Sequence, residues 1–308
     1  MYAPPIDIQT EIFARLPERF RRVGKSSAWL DAHRRGEALH SFLEGPSFDR
    51  AGFLYVVDIA FGRVFRVSPA GEFELVAEYP GEPNGLKIHR DGRVFITDFR
   101  HGVMLLDVEH GRVEPFLTEY AGRPFQGVND LFFTANGDLY FTDQGHSGQH
   151  ERSGALFRYS AAGQLERLLD AVPSPNGLVS DLIEGSILLA VTRDNAVWRV
   201  PMQLNGQPHK VGVFIQLSGG VGPDGLALDE AGGLAVAHFG LGSVWLFSSS
   251  GEPLYRLRAG TGLGTTNVAY GWPDRRRLYI VESLSGCIVC AKMPVAGRLM
   301  YSHAALPE

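Results

Sequence analysis

Residues 44–79 read EGPSFDRAGFLYVVDIAFGRVFRVSPAGEFELVAEY. Short apolar or alternating runs are separated there by DRAG, IAFG and SPAGE. Runs of this length bounded by Gly, Asp and Pro are strand and turn signals, so the stretch predicts four antiparallel strands. The next stretch, NGLKIHRDGRVFITDFRHGVMLLDVEHGRVEPFL (84–117), repeats the order of strand, polar-Gly turn, strand ending in Asp, Gly loop, strand, Gly turn, strand. Further copies open at Asn129 (NDLFFTANGDLYFTD), Asn176 (NGLVSDLIEGSILLAVT), Asp224 (DGLALDEAGGLAVAH) and Asn267 (NVAYGWPDRRRLYIVES). A glycine recurs late in each copy: Gly71, Gly111, Gly163, Gly206, Gly251 and Gly297.

Four-strand units repeating every 40 to 48 residues predict an all-β fold, a six-bladed β-propeller. A solenoid of such units would need polar capping repeats, and none is legible. The whole chain reads as one propeller domain, with blades starting near 44, 84, 129, 176, 224 and 267 and an N-terminal strand and linker over 1–43. Closing the ring requires a strand from the other terminus. QTEIFARLP (9–17) is the expected donor, and RLMYSH (298–303) competes for the place. Residues 18–40 match no repeat and are expected to form an irregular or briefly helical surface linker.

Composition narrows the function. A formal net charge of −5 argues against a phosphate-tracking nucleic-acid binder. No apolar run reaches membrane-spanning length. The opening MYAPPIDIQTEIF has no basic segment followed by an apolar core, which predicts a cytoplasmic protein, monomer or homodimer. The two cysteines, Cys287 and Cys290, spell C-x-x-C inside a strand-like run. That spacing sends their thiols to opposite faces, so packing is expected rather than zinc or redox chemistry.

The first residue of each repeat carries a side-chain oxygen: Glu44, Asn84, Asn129, Asn176, Asp224 and Asn267. In a propeller the innermost strands line one channel, so these six oxygens converge at one end of it. The Pro-Asn-Gly of residues 83–85 and 175–177 is therefore more than a turn signal. A second ring is formed by Asp58, Asp98, Asp143, Asp194, His238 and Glu282, where the second strands end. For most of that ring, turn capping of backbone amides is the expected role. Gathered carboxylates need a positive partner, and an all-oxygen set suits a hard divalent ion, calcium first, with magnesium, manganese or zinc as alternatives.

FLEGP around Glu44, GVNDL around Asn129, PSPNGL around Asn176 and GPDGL around Asp224, in this order and spacing, resemble the regucalcin–gluconolactonase (senescence marker protein) family over residues 40–300. The resemblance implies one divalent metal in the channel and hydrolysis of a small-molecule lactone. It implies Glu44, Asn176 and Asp224 as metal ligands, and Asn129 as a residue that touches substrate. Asp224 is the expected general base, with Asp98 and Asp143 as alternatives, and Asn129 the second catalytic residue. Asn84, Gln126 and His146 are expected to bind substrate beside Asn129. One departure stands out: the arginine that mammalian sugar lactonases place two residues before the substrate Asn is here Gly127. The long stretch DQGHSGQHERSG (143–154), with His146 and His150, is a candidate lid. No G-x-S-x-G elbow is present. Two rival readings are a propeller hydrolase cleaving phosphorus–fluorine bonds at a similar calcium site, and a non-enzymatic metal-binding platform.

Overall fold

The computed structural model describes residues 3–305. It is a six-bladed β-propeller, with six small sheets arranged in a ring. Blades 1 to 4 are four-stranded and use residues 43–78, 83–117, 128–172 and 175–216. Blade 5 spans 222–258 and gains a fifth strand, Ile6–Ile8, which pairs in parallel with Pro253–Arg258. Blade 6 takes three strands from 265–292 and its outer strand from the N-terminus. Glu11–Arg15 closes the ring there, with Glu11 opposite Cys290 and Arg15 opposite Cys287. The N-terminal donor is thus the one used, and the added parallel strand carries no pattern that its three residues could announce.

The C-terminal competitor does something else. Gly297 makes a lone bridge to Asp229, and the chain then crosses the far end of the channel. Arg298 donates to the Ser180 carbonyl at 3.0 Å and pairs with Glu184 at 2.5 Å, tying that segment to blade 4. Tyr301 stacks on Phe133 of blade 3.

Interleaved apolar strands fill the space between blades, and Cys287 and Cys290 are both buried and free among them. Their thiols face different neighbours, Arg15 and Arg277, as alternation along a strand requires. The linker contains one helix, α1 (Ala28–Arg34), capped by the Ser27 hydroxyl, which accepts from the Leu30 amide at 3.3 Å. It is no mere surface connection. Trp29 and Leu30 are buried against Phe42, Ile59 and Ala60, so the helix sits over one mouth of the channel.

Candidate active site

All six innermost strands break register at the head residue. The irregularities fall at 44/47, 83/85, 128/131, 175/178, 223/226 and 265/267. A bulge bends a strand and re-aims its side chains. Repeated six times around the ring, it turns the head side chains toward the channel end. Hydroxyls at the ends of second strands hold this level together across blades. Thr142 Oγ1 donates to the Asn176 carbonyl at 2.9 Å, Thr192 Oγ1 to the Pro223 carbonyl at 2.8 Å, and Thr97 to the Asn129 carbonyl. Ser283 does the same to Leu43, across the closure.

The heads border a cavity of about 570 Å³. Glu44, Asn84, Asn129, Asn176 and Asp224 line its floor, and Asn267 does not reach it. Asn267 is buried below, where its amide donates to Asp130 at 3.4 Å. The walls come from the 144–150 loop, His146 and His150 included, and the roof from Trp29, His33 and Arg34 of α1. His33 stacks on His146, ring centroids 5.4 Å apart, joining helix to loop. Burial, and then the neighbouring His146, lowers the pKa of His33.

Gln126 lies outside this cavity: its side chain is exposed and its backbone amide caps Asp143 at 3.0 Å. The glutamine that lines the wall is Gln144. Its Oε1 accepts from Asn129 Nδ2 at 3.2 Å, while its Nε2 donates to Ser174 Oγ at 2.9 Å. Its position just after Asp143, at the start of the long loop, was the available signal. The two alternative bases are also elsewhere. Asp98 accepts from the Glu82 amide and the Tyr79 hydroxyl, at 2.9 and 2.8 Å, and Asp143 from the Gly127 amide at 2.7 Å. Asp58 is clamped by Arg63 at 2.5 Å and Glu282 accepts from the Gly264 amide at 2.7 Å. Asp58, Asp98, Asp143 and Glu282 thus accept from backbone amides, whereas Asp194 accepts from the Trp198 and Gln149 side chains and His238 faces the Gly219 carbonyl.

The floor is electrostatically unsettled. Burial pushes the Glu44 carboxyl up to about 7, against the Gly45 amide that donates to it at 2.8 Å, and the charge of Asp130 adds to the rise. Asp224 is also raised well above the ordinary carboxylate range, by burial first and then by Glu44 and Asp130. Lys87 Nζ, 3.8 Å from Asp130, is the nearby cation below this level. Two carboxyls raised by burial and by the charge of Asp130, with a neutral amide from Asn176, form an all-oxygen set that a hard divalent cation satisfies. Among the described residues no three His, Cys, Asp or Glu side chains gather into a cage. Two carboxylates and an amide would leave part of a cation's coordination sphere open, as catalysis needs.

Residues 42–283 match the model of the SMP-30/gluconolactonase/LRE-like region. Among curated proteins, lactonase drp35 of Staphylococcus aureus is 27% identical over 244 residues, covering 74% of this chain and 72% of that protein. Among solved structures, a calcium-binding regucalcin of Agrobacterium tumefaciens superimposes with a TM-score of 0.77 at 20% identity, covering 98% of this chain and all of that one. A gluconolactonase of Xanthomonas campestris gives a TM-score of 0.73, also at 20% identity, over 96% of this chain and 99% of its own.

Proposed function

Because the chain belongs to the SMP-30/gluconolactonase/LRE-like family, we propose that it hydrolyses a small lactone in the head-ring cavity, with Glu44, Asn176 and Asp224 holding one divalent cation, calcium by preference. The observation that carries this reading is the convergence of these three residues and Asn129 on one cavity floor, from four different blades. A cation held there would supply Lewis-acid polarisation of the lactone carbonyl.

The chain's own groups do the rest. Asp224 takes a proton from the attacking water. The water oxygen bonds to the carbonyl carbon, the ring C–O bond breaks, and the ring oxygen leaves as a hydroxyl by receiving the proton that Asp224 had taken. The product is the open hydroxy acid. Asn129 donates its amide to a substrate oxygen without adding charge to the floor, and Gln144 holds that amide in orientation. Asn84 offers a second neutral amide on the same floor. Helix α1 and the 144–150 loop partly cover the floor, and the less water reaches it the stronger the electrostatic contacts beneath them.

The test is proton release from a panel of five- and six-membered lactones, with and without chelation, beside a fluorophosphate. Metal-replete protein should open a lactone and lose that activity on chelation. Turnover of the fluorophosphate alone would favour the phosphorus–fluorine reading, and turnover of neither would favour a binding platform.

A further inference from the structure

The cavity is acidic at its floor and basic at its rim. Arg34 enters from α1 and Arg193 from the turn after the second strand of blade 4. Arg34 Nη2 pairs with Glu37 at 2.6 Å on the outer side, while its buried Nε has no hydrogen-bond partner among the described residues. An orphaned buried guanidinium N–H is costly unless a ligand answers it. Arg193 is exposed at the mouth beside the 144–150 loop, which is tied to it because Gln149 Nε2 donates to the Arg193 carbonyl at 3.2 Å and to Asp194 at 2.9 Å. Beside Arg34 lies an aromatic band, with Trp29 and Phe42 4.8 Å apart, Phe239 next to them, and the Arg34 guanidinium 5.8 Å from the Phe42 and Phe239 ring centroids.

A cavity of about 570 Å³ is the size that takes a drug-sized ligand, larger than a bare lactone ring needs. The side-chain gradient says what the remainder of the ligand is. A ring whose carbonyl sits over the floor places its substituent beside the aromatic band and at the two arginines. We infer that the substrate is an anionic lactone, one whose ring bears a carboxylate received by Arg34 and Arg193. This rests on the lactonase reading above and adds its substrate class. Arg34 precedes the matched region, which begins at residue 42, so this part of the site belongs to the helix that sits outside the repeats.

The test compares a γ-lactone carrying a ring carboxylate with the matching neutral carboxamide, using metal-replete full-length protein. The carboxylate should be favoured in kcat/KM, and that preference should fall about tenfold in Arg193→Gln and again in Arg34→Gln, the loss expected for a charge-assisted hydrogen bond. Arg193 is exposed, so its variant keeps the test valid if the helix variant folds poorly. Binding of the corresponding cyclopentanone carboxylate and carboxamide, which cannot be hydrolysed, is measured by calorimetry in parallel. Arginine-dependent preference for the carboxylate without any lactone turnover would retain the anion site and remove the hydrolase reading. Equal handling of carboxylate and carboxamide, or a preference unmoved by both substitutions, overturns the inference.

Discussion

Asn84, Asn176 and Asp224 are each followed by glycine, and in the fold that glycine is a point of contact between blades. A Cβ on Gly85 would stand 2.7 Å from Thr97 Oγ1 and 2.9 Å from the Asn129 carbonyl. On Gly177 it would stand 2.5 Å from the Asp224 carbonyl, and on Gly225 it would meet Asn267. Neither Pro-Asn-Gly makes a tight turn: both lie inside innermost strands, Pro83–Ile88 and Pro175–Ser180. The phrase is a head oxygen followed by the only residue that lets the next strand approach. Gly85→Ala should therefore lower stability by about 1–3 kcal/mol, the ordinary cost of overpacking, read from denaturant melts. It should also displace Asn129, whose carbonyl is among the atoms forced to move, and so reduce turnover.

The same scale carries a pH prediction. With no cation bound, Glu44 has a proton affinity raised from the ordinary 4.5 to about 7. Between those values the folded chain holds more protons than the unfolded one, so stability falls as pH rises through the window and stays low above it. Chelated protein should melt at a higher temperature near pH 5 than near pH 8, and added calcium should restore most of the difference. Glu44→Gln removes the buried charge: its chelated form should be the more stable at pH 8, while its affinity for calcium falls. An equal metal content in that variant and the wild type, by elemental analysis, would remove Glu44 from the ligand set. At Asn129 the outcome differs, because no charge is lost. Asn129→Ala should keep the metal and lose about 1–3 kcal/mol of transition-state stabilisation, the worth of one or two oriented hydrogen bonds, read from kcat/KM.

At the scale of elements, what sequence could and could not announce divides along physical lines. The blades were legible because strand alternation and turn chemistry are local. The head positions were legible because they recur with the period of the blades. The bulge at each head was not, since its signal is a hydrogen-bond register that two strands decide together. Gln144 was missed in favour of Gln126 because neither has a repeat to rank it, and only the loop's path puts one into the cavity. Helix α1 was legible only as a briefly helical stretch of a surface linker over 18–40, because its docking depends on Phe42, Ile59 and Phe239, which lie outside it in the chain. Its seven residues are too few to stand without that docking. Trp29→Ala should consequently undock α1, raising KM and leaving the global melting transition nearly in place, because the ring beneath closes without the helix. A melting temperature that fell together with activity would show the helix to be part of the ring's support.

The whole molecule is a closed ring whose two ends are treated differently. The N-terminal strand Glu11–Arg15 completes blade 6, with Phe13 packed edge-on to Tyr279 at 4.9 Å, while the C-terminal segment covers the far end of the channel. Removing residues 1–16 exposes the edge of Cys287–Lys292 and a buried apolar seam, and the product should aggregate rather than refold, seen by light scattering. Closure is also what makes the site, since the floor takes Glu44 from blade 1 and Asp224 from blade 5, and only the closing blade 6 between them brings the two together. The most direct measurement of the account is therefore lactone hydrolysis by chelated protein titrated with calcium, wild type beside Asp224→Asn. Activity should be absent after chelation, return saturably with calcium in the wild type, and stay absent in the variant at every calcium concentration. Hydrolysis that survives chelation, or that Asp224→Asn retains, would contradict it.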